Sequence, residues 1–130
     1  MEKILFESAL VTVGSNDFAA ACKFYNELFA VIDIKQLWAH DHMAAWGTSR
    51  NETSFCVTTP YNQMEASPGN GCMVAVKVKN KEQVHLLHSK ALELGAKDEG
   101  KPGNRGEHGF YGGYFRDLDG NKLNAYVPAG

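Results

Sequence analysis

Phe110-Tyr-Gly-Gly-Tyr-Phe-Arg-Asp-Leu-Asp-Gly-Asn-Lys-Leu-Asn124 is the stretch on which the fold of this chain turns. Aromatic and apolar residues flank Asp117-Leu-Asp-Gly-Asn121. Asp and Asn bond their own backbone and Gly tolerates positive φ, so this centre reads as a tight turn. Two strands follow from that reading, Phe110–Arg116 and Lys122–Val127. Upstream, Gly100, Gly103, Gly106 and Gly109 read as a glycine-rich loop. Before it, Asn80 caps a helix carrying Val84, Leu87, Leu92 and Leu94, with Gly95 as its stop. Residues 72–78 precede that helix as a strand.

The same order stands in the first half. Residues 5–13 read as a strand ending at Gly14-Ser15-Asn16-Asp17, a polar cluster suited to capping a helix. From Phe18, the apolar positions Ala21, Cys22, Phe24, Tyr25, Leu28 and Phe29 recur at three- and four-residue spacing, which predicts a helix with one buried face. Residues 32–38, 43–46 and 55–59 read as strands, and 60–71 as a polar connection. Leu10 and Met73, Leu28 and Leu92, and Trp46 and Tyr111 fall at nearly equal offsets. Each half is therefore one βαβββ unit of about 60 residues, marginal alone and stabilised by pairing. The expected class is α+β: two paired βαβββ modules, about 1–60 and 70–130, in a single domain spanning 1–130, with a curved mixed sheet or half-barrel whose concave side suits a ligand.

Composition narrows the partners. In 130 residues, 44% are hydrophobic and 22% charged, which is globular usage, and 13 basic against 15 acidic residues leave a net charge of −2. No general basic field is available to draw nucleic acid or an anionic membrane. No apolar run approaches the roughly 20 residues of a membrane helix, and the first residues lack a signal-peptide stretch. Three cysteines, Cys22, Cys56 and Cys72, are odd in number and not closely paired, so a reduced, cytoplasmic chain is expected.

With Phe24-Tyr25, Ser67-Pro-Gly-Asn-Gly71, Ala96-Lys-Asp-Glu-Gly100 and the 110–124 stretch in view, the chain resembles the vicinal-oxygen-chelate superfamily. That group includes glyoxalase I, extradiol dioxygenases, fosfomycin-resistance transferases and bleomycin-resistance proteins. The resemblance covers nearly the whole chain and speaks to fold more than to activity, because the fold hosts unrelated chemistries. It implies metal ligands on the first and last strands of each module, typically His, Gln or Glu on the first and Glu on the last. Those positions fall on Leu10, near Phe55–Cys56, on Met73 and on Asn124. Leu offers no donor, Met a soft thioether and Asn a neutral carbonyl, whereas a divalent cation wants imidazole and carboxylate. No metal and no other cofactor is therefore expected, with Leu10, Met73 and Asn124 as degenerate ligand positions.

Other candidates carry less. His40 and His42 would leave one face of a strand but lack a third ligand. His85 and His88, three apart on the second helix, read as an exposed pair. Asp117-x-Asp119-Gly120 lacks the closing Glu of a calcium loop. No P-loop, Gly-x-Ser-x-Gly elbow or His-Glu-x-x-His pair is present, and the cysteines read as structural thiols. Lys77, Lys79, Lys81 and Lys90 read as a solvated face. Arg116 could meet an anionic group, or Asp117, Asp119 or a local carbonyl.

What is left is an aromatic pocket for a small organic molecule, drawn from Trp46, Phe55, Met73, His108, Tyr111, Tyr114 and Asn124, with Tyr126 adding surface and no catalytic residue assigned. The favoured expectation is a metal-free small-molecule-binding protein, similar to the bleomycin-resistance members and a homodimer. The alternatives are a glyoxalase-like lyase, an isomerase or a dioxygenase with an unconventional metal site, a metal-independent enzyme using Tyr and His, and an assembly module.

Overall fold

Alternation of side chains builds both sheets. In the computed structural model, which describes residues 6–107 and 109–128, the order is β1 (Leu10–Gly14), α1 (Phe18–Ala30), β2 (Lys35–Ala39), β3 (Met43–Gly47) and β4 (Ser54–Thr58). It then repeats as β5 (Val74–Lys77), α2 (Lys81–Glu93), β6 (Lys97–Arg105), β7 (Phe110–Arg116) and β8 (Lys122–Val127). The strands form two mixed four-stranded sheets, ordered β1-β4-β3-β2 and β5-β8-β7-β6, with β1–β4 and β5–β8 parallel. This is the expected α+β pair of βαβββ modules.

The helices set the repeat. Ala21, Phe24, Tyr25 and Leu28 are buried on α1; Val84, Leu87, His88 and Ala91 are buried on α2, each 63 residues on. Val11 and Val13 on β1 match Val74 and Val76 on β5 at the same spacing, all packed on the core. Leu28 thus corresponds to Ala91, and the Leu28–Leu92 equivalence read from sequence is off by one: Leu92 is 37% exposed. The later strands drift further. Ala45 and Tyr114 both stand beside the last strand, opposite Cys56 and Asn124. Trp46 therefore corresponds to Phe115 rather than Tyr111, because the second module has the longer β6.

That longer strand is the main departure from the sequence reading. The glycine-rich segment taken as a loop is β6 as far as Arg105, paired with β7 through two register shifts. The shifts absorb extra residues, as β-bulges do. Gly100 is needed there: a Cβ would meet Arg105 and the Tyr114 ring at 3.2 Å. The first strand begins at Leu10, residues 6–9 are not strand, and the rest of the expected 5–13 span lies outside the described residues. Asp17 and Asn80 cap the two helices through bonds to Ala20 N and Gln83 N.

His88 is not exposed. It is 3% accessible, and its Nε2 lies 3.1 Å from Asp98 Oδ1 on β6. It fills the α1 position of Tyr25, so an inward-facing polar ring had to find a partner. His85, still exposed, meets the Tyr111 hydroxyl at 2.6 Å.

The β7–β8 turn is also a clasp between modules. Tyr25, fully buried, donates its hydroxyl to Asp117 Oδ2 at 2.5 Å. Asn121 Nδ2 donates to Gly14 O, and Asn16 N donates to Asp119 Oδ1, both at 2.9 Å. Burial pushes the Tyr25 phenol well above its ordinary value, with the Asp117 charge adding to it. Burial also raises Asp117, opposed by hydrogen bonds from Tyr25, Asn121 and Asp119. The Asp-x-Asp-Gly-Asn sequence thus ties a turn to the opposite module. Arg116, for its part, bonds Glu99 Oε1 and Gly120 O, so a local carbonyl is one of its partners but Asp117 and Asp119 are not.

Candidate functional site

The core faces of both sheets are covered by the helices, which leaves the opposite faces for chemistry. On the second module, period-two alternation puts Met73 and Ala75, then Lys122, Asn124 and Tyr126 on β8, and Phe110, Gly112 and Tyr114 on β7 on this open face. Met73, Ala75, Phe110, Tyr114, Asn124, Tyr126 and Pro128 line one cavity of about 430 Å³. That lies in the small-molecule range.

Asn124 is the buried polar residue in the lining of this cavity. It is 3% exposed, stands opposite Ala75 on one side and Tyr114 on the other, and its Nδ2 has no hydrogen-bond partner among the described residues. A buried amide left unmade costs about 1–3 kcal/mol. Gly112 makes room for it, since a Cβ there would stand 3.0 Å from Asn124 Nδ2. Phe110 and Tyr126 meet edge to face, centroids 6.1 Å apart at 83°. Tyr114 carries two cations over its ring, Arg105 at 5.1 Å and Lys122 at 5.2 Å from the centroid.

The open face of the first module has a different chemistry. It presents Leu10 and Thr12 on β1, Ser54, Cys56 and Thr58 on β4, and Met43 and Ala45 on β3, with Thr12 opposite Cys56 and Leu10 opposite Ser54. No charged residue stands on these three strands. Burial pushes the Cys56 thiol up, away from the thiolate.

Sequence-chosen residues divide between surfaces. Met73, Tyr114 and Asn124 come together in the aromatic cavity. Trp46, Phe55 and Met73 line a separate one of about 480 Å³, with Val11, Phe29 and Val74. There Trp46 belongs to the core, with its indole Nε1 donating to Asn26 Oδ1 at 2.9 Å. Tyr111 lies in neither cavity: it alternates with Tyr114 to the helix side and meets His85. His108 lies outside the described residues. Phe110, Arg105 and Lys122 were not singled out from sequence. The alternation Lys122, Asn124, Tyr126 held the signal for Lys122; that for Arg105 was hidden by reading β6 as a loop.

The register also refines the ligand positions implied by the resemblance. Asn124 faces Ala75, not Met73, and Cys56, rather than Phe55, shares the open face with Leu10 and Thr12. Thr12, Cys56, Ala75 and Asn124 bring no imidazole and no carboxylate, a donor set that does not fit a divalent metal. His40 and His42 stand in the β2–β3 turn instead of on a strand, and the His42 amide donates to His40 Nδ1. Among the described residues no three His, Cys, Asp or Glu side chains converge.

Residues of both edge strands border shared cavities: Val11 lines one with residues 73–77, and residues 12–14 line another, of about 390 Å³, with residues 72–74. No helix among the described residues is long and apolar enough to cross a membrane.

Comparison with known proteins agrees with this architecture. Residues 9–125 match the model of the Glyoxalase/Bleomycin resistance protein/Dioxygenase superfamily. A glyoxalase/bleomycin resistance protein from Albidiferax ferrireducens T118 is 30% identical, with a TM-score of 0.84 over 92% of this chain and 97% of that one. A glyoxalase-related enzyme from Fulvimarina pelagi, 20% identical, superposes with a TM-score of 0.77 over 95% of this chain and 88% of its own. A glyoxalase/bleomycin resistance protein/dioxygenase family enzyme from Burkholderia phytofirmans PsJN, 16% identical, reaches 0.73 over 92% and 96%. No curated protein matches the chain.

Proposed function

The chain belongs to the Glyoxalase/Bleomycin resistance protein/Dioxygenase superfamily, and within it we propose a small-molecule-binding protein that works without a metal, holding its ligand on the open face of the second module. The observation that carries this is Asn124, a buried amide with an unpartnered Nδ2, set among Phe110, Tyr114 and Tyr126. An unpaired polar group at the base of an apolar cavity favours any molecule that completes its hydrogen bonds. Metal independence rests on the donors at the strand positions where the resemblance puts ligands: an alanine and a neutral amide in one module, a hydroxyl and a raised thiol in the other.

The reading extends to assembly and compartment. A homodimer would cover Leu10 and Met73, apolar side chains left 53% and 46% exposed; sedimentation at micromolar concentration tests this, and a monomer there contradicts it. Three free thiols suit a reducing, cytoplasmic setting. The decisive experiment for the binding reading is thermal denaturation with and without divalent cations, beside metal analysis of protein purified without chelator. Ligand-dependent stabilisation in EDTA supports the proposal. Stoichiometric metal with a melting rise of several degrees on adding the cation overturns it.

A further inference from the structure

Charge on the second sheet is unbalanced in a way the whole chain is not. The protein carries a net charge of −2, yet strands β5–β8 hold two carboxylates, Asp98 and Glu99. Both are engaged: Asp98 faces His88, and Glu99 accepts from Arg116 Nε at 2.5 Å. The Arg116 guanidinium holds Glu99 below the usual carboxylate range, as expected for a paired anion. On the cationic side, Arg105 donates to two backbone carbonyls, Gly112 O and Lys101 O. Neutral acceptors fix its position and leave its charge uncompensated. Lys122 Nζ forms no ion pair among the described residues and lies over Tyr114.

These cations stand at one end of the aromatic cavity. Met73 lines both that cavity and a neighbouring one of about 560 Å³ that includes Arg116 and Lys122. From β6 to β8 the open face therefore runs from apolar rings at Phe110 and Tyr126, past the buried amide of Asn124, to Lys122 and Arg105 beside Tyr114. Apolar area, one directional polar group and a positive end follow one another along a single surface.

We propose that this face selects a small molecule with an aromatic or apolar body and an anionic head: the body against Phe110 and Tyr126, a polar substituent at Asn124, the head at Lys122 with Arg105 beside it. The proposal rests on the binding reading above and names the ligand class for that same site. The Tyr114 ring restrains both cations by cation–π contact, so less side-chain freedom is lost when an anion arrives. A local positive end on a negatively charged protein also sorts ligands, repelling ammonium groups while admitting carboxylate or phosphate.

Matched probes differing only in the head group test this. Calorimetric titration in EDTA would compare 3-phenylpropionate, 3-phenylpropionamide and 3-phenylpropylamine, with phenol and indole as neutral aromatic controls. The expected order is acid, amide, amine, with the acid favoured over the amide by about tenfold at low salt and by less as salt rises. Lys122→Gln should remove most of that advantage while leaving amide affinity within about twofold. Lys122→Glu should reverse the order in favour of the amine, with the melting temperature of each variant confirming an intact fold. Equal affinity for acid and amide, or binding of phenol and indole alone, overturns the anionic class and leaves the binding reading standing. No binding by any of the five probes overturns both.

Discussion

The two modules share a topology and a helix spacing of 63 residues, yet they sort their aromatic residues in opposite directions. In the first, Phe24, Tyr25, Phe29, Trp46 and Phe55 pack into one cluster, with centroid separations from 4.7 to 6.5 Å, and the open face keeps a single ring, Trp38 opposite Ala45 at the sheet edge, beside Thr12, Ser54 and Cys56. In the second, the core is Val84, Leu87, Ala91, Leu123 and Val127 with Phe115, and the open face receives Phe110, Tyr114 and Tyr126. Aromatic pairs contribute about 0.5–1.5 kcal/mol beyond the area they bury. One module spends five of its rings on cohesion, and the other displays three around a cavity. Two copies of a scaffold can divide labour without altering its backbone plan.

That contrast can be broken most forcefully at Trp46 and Tyr126. Trp46→Ala should cost about 3–5 kcal/mol in urea denaturation, as a buried aromatic truncation does. Tyr126→Ala, from the open face, should cost under about 1 kcal/mol and show its effect in ligand affinity instead. Equal losses of stability would erase the distinction. Next in size is the clasp that joins the modules: Tyr25→Phe should lower stability by about 1.5–3 kcal/mol, the range for a buried hydrogen bond to a carboxylate. A loss of a few tenths would show that Asn121 and the backbone amides satisfy Asp117 on their own.

Asn124→Leu sharpens the comparison in the other direction. Replacing an unpartnered buried amide with an apolar side chain of similar volume should stabilise the free protein by about 1 kcal/mol while abolishing the ligand's hydrogen bond. A site kept for function costs stability, and a variant less stable than the parent would contradict that role. Smallest of the four is an acid effect on the second module. Asp98 lies below the ordinary carboxylate range because the Gly100 amide bonds it, with His88 adding a smaller part. Its folded value is the lower one, so its contribution is present above about pH 4 and is lost as pH falls through the folded value. Asp98→Asn should flatten that acid limb in a pH series of denaturation midpoints; an unchanged slope would show that other carboxylates set it.

Much of the fold was legible from local pattern. Apolar spacing on α1, the Asp17 and Asn80 caps and the Asp117–Asn121 turn are short-range signals, and each produced its element. β6 was not legible, because its glycines look like a loop until a partner strand supplies hydrogen bonds and Tyr114 and Arg105 occupy the space a side chain would fill. His88 was misread for a related reason: a helix face is apolar by default, and only the tertiary partner Asp98 makes an inward histidine tolerable. Within the site, the sequence reached Met73, Tyr114 and Asn124 but placed Tyr111 on the wrong face. The Trp46–Tyr111 spacing was extended across the bulged β6 and fell four residues short of Phe115. An even slip leaves both rings on the helix side, so aligning them said nothing about the open face.

The central claim is that the second module's open face binds its ligand without metal. Amide chemical-shift mapping of the protein in EDTA, titrated with 3-phenylpropionate, tests it directly. The account predicts saturable shifts centred on Phe110–Arg116 and Lys122–Val127 and reaching Arg105 and residues 73–75, with β1, β3 and β4 unmoved and no change on adding a divalent cation. Shifts centred on the first module, or none until the cation is supplied, would contradict it.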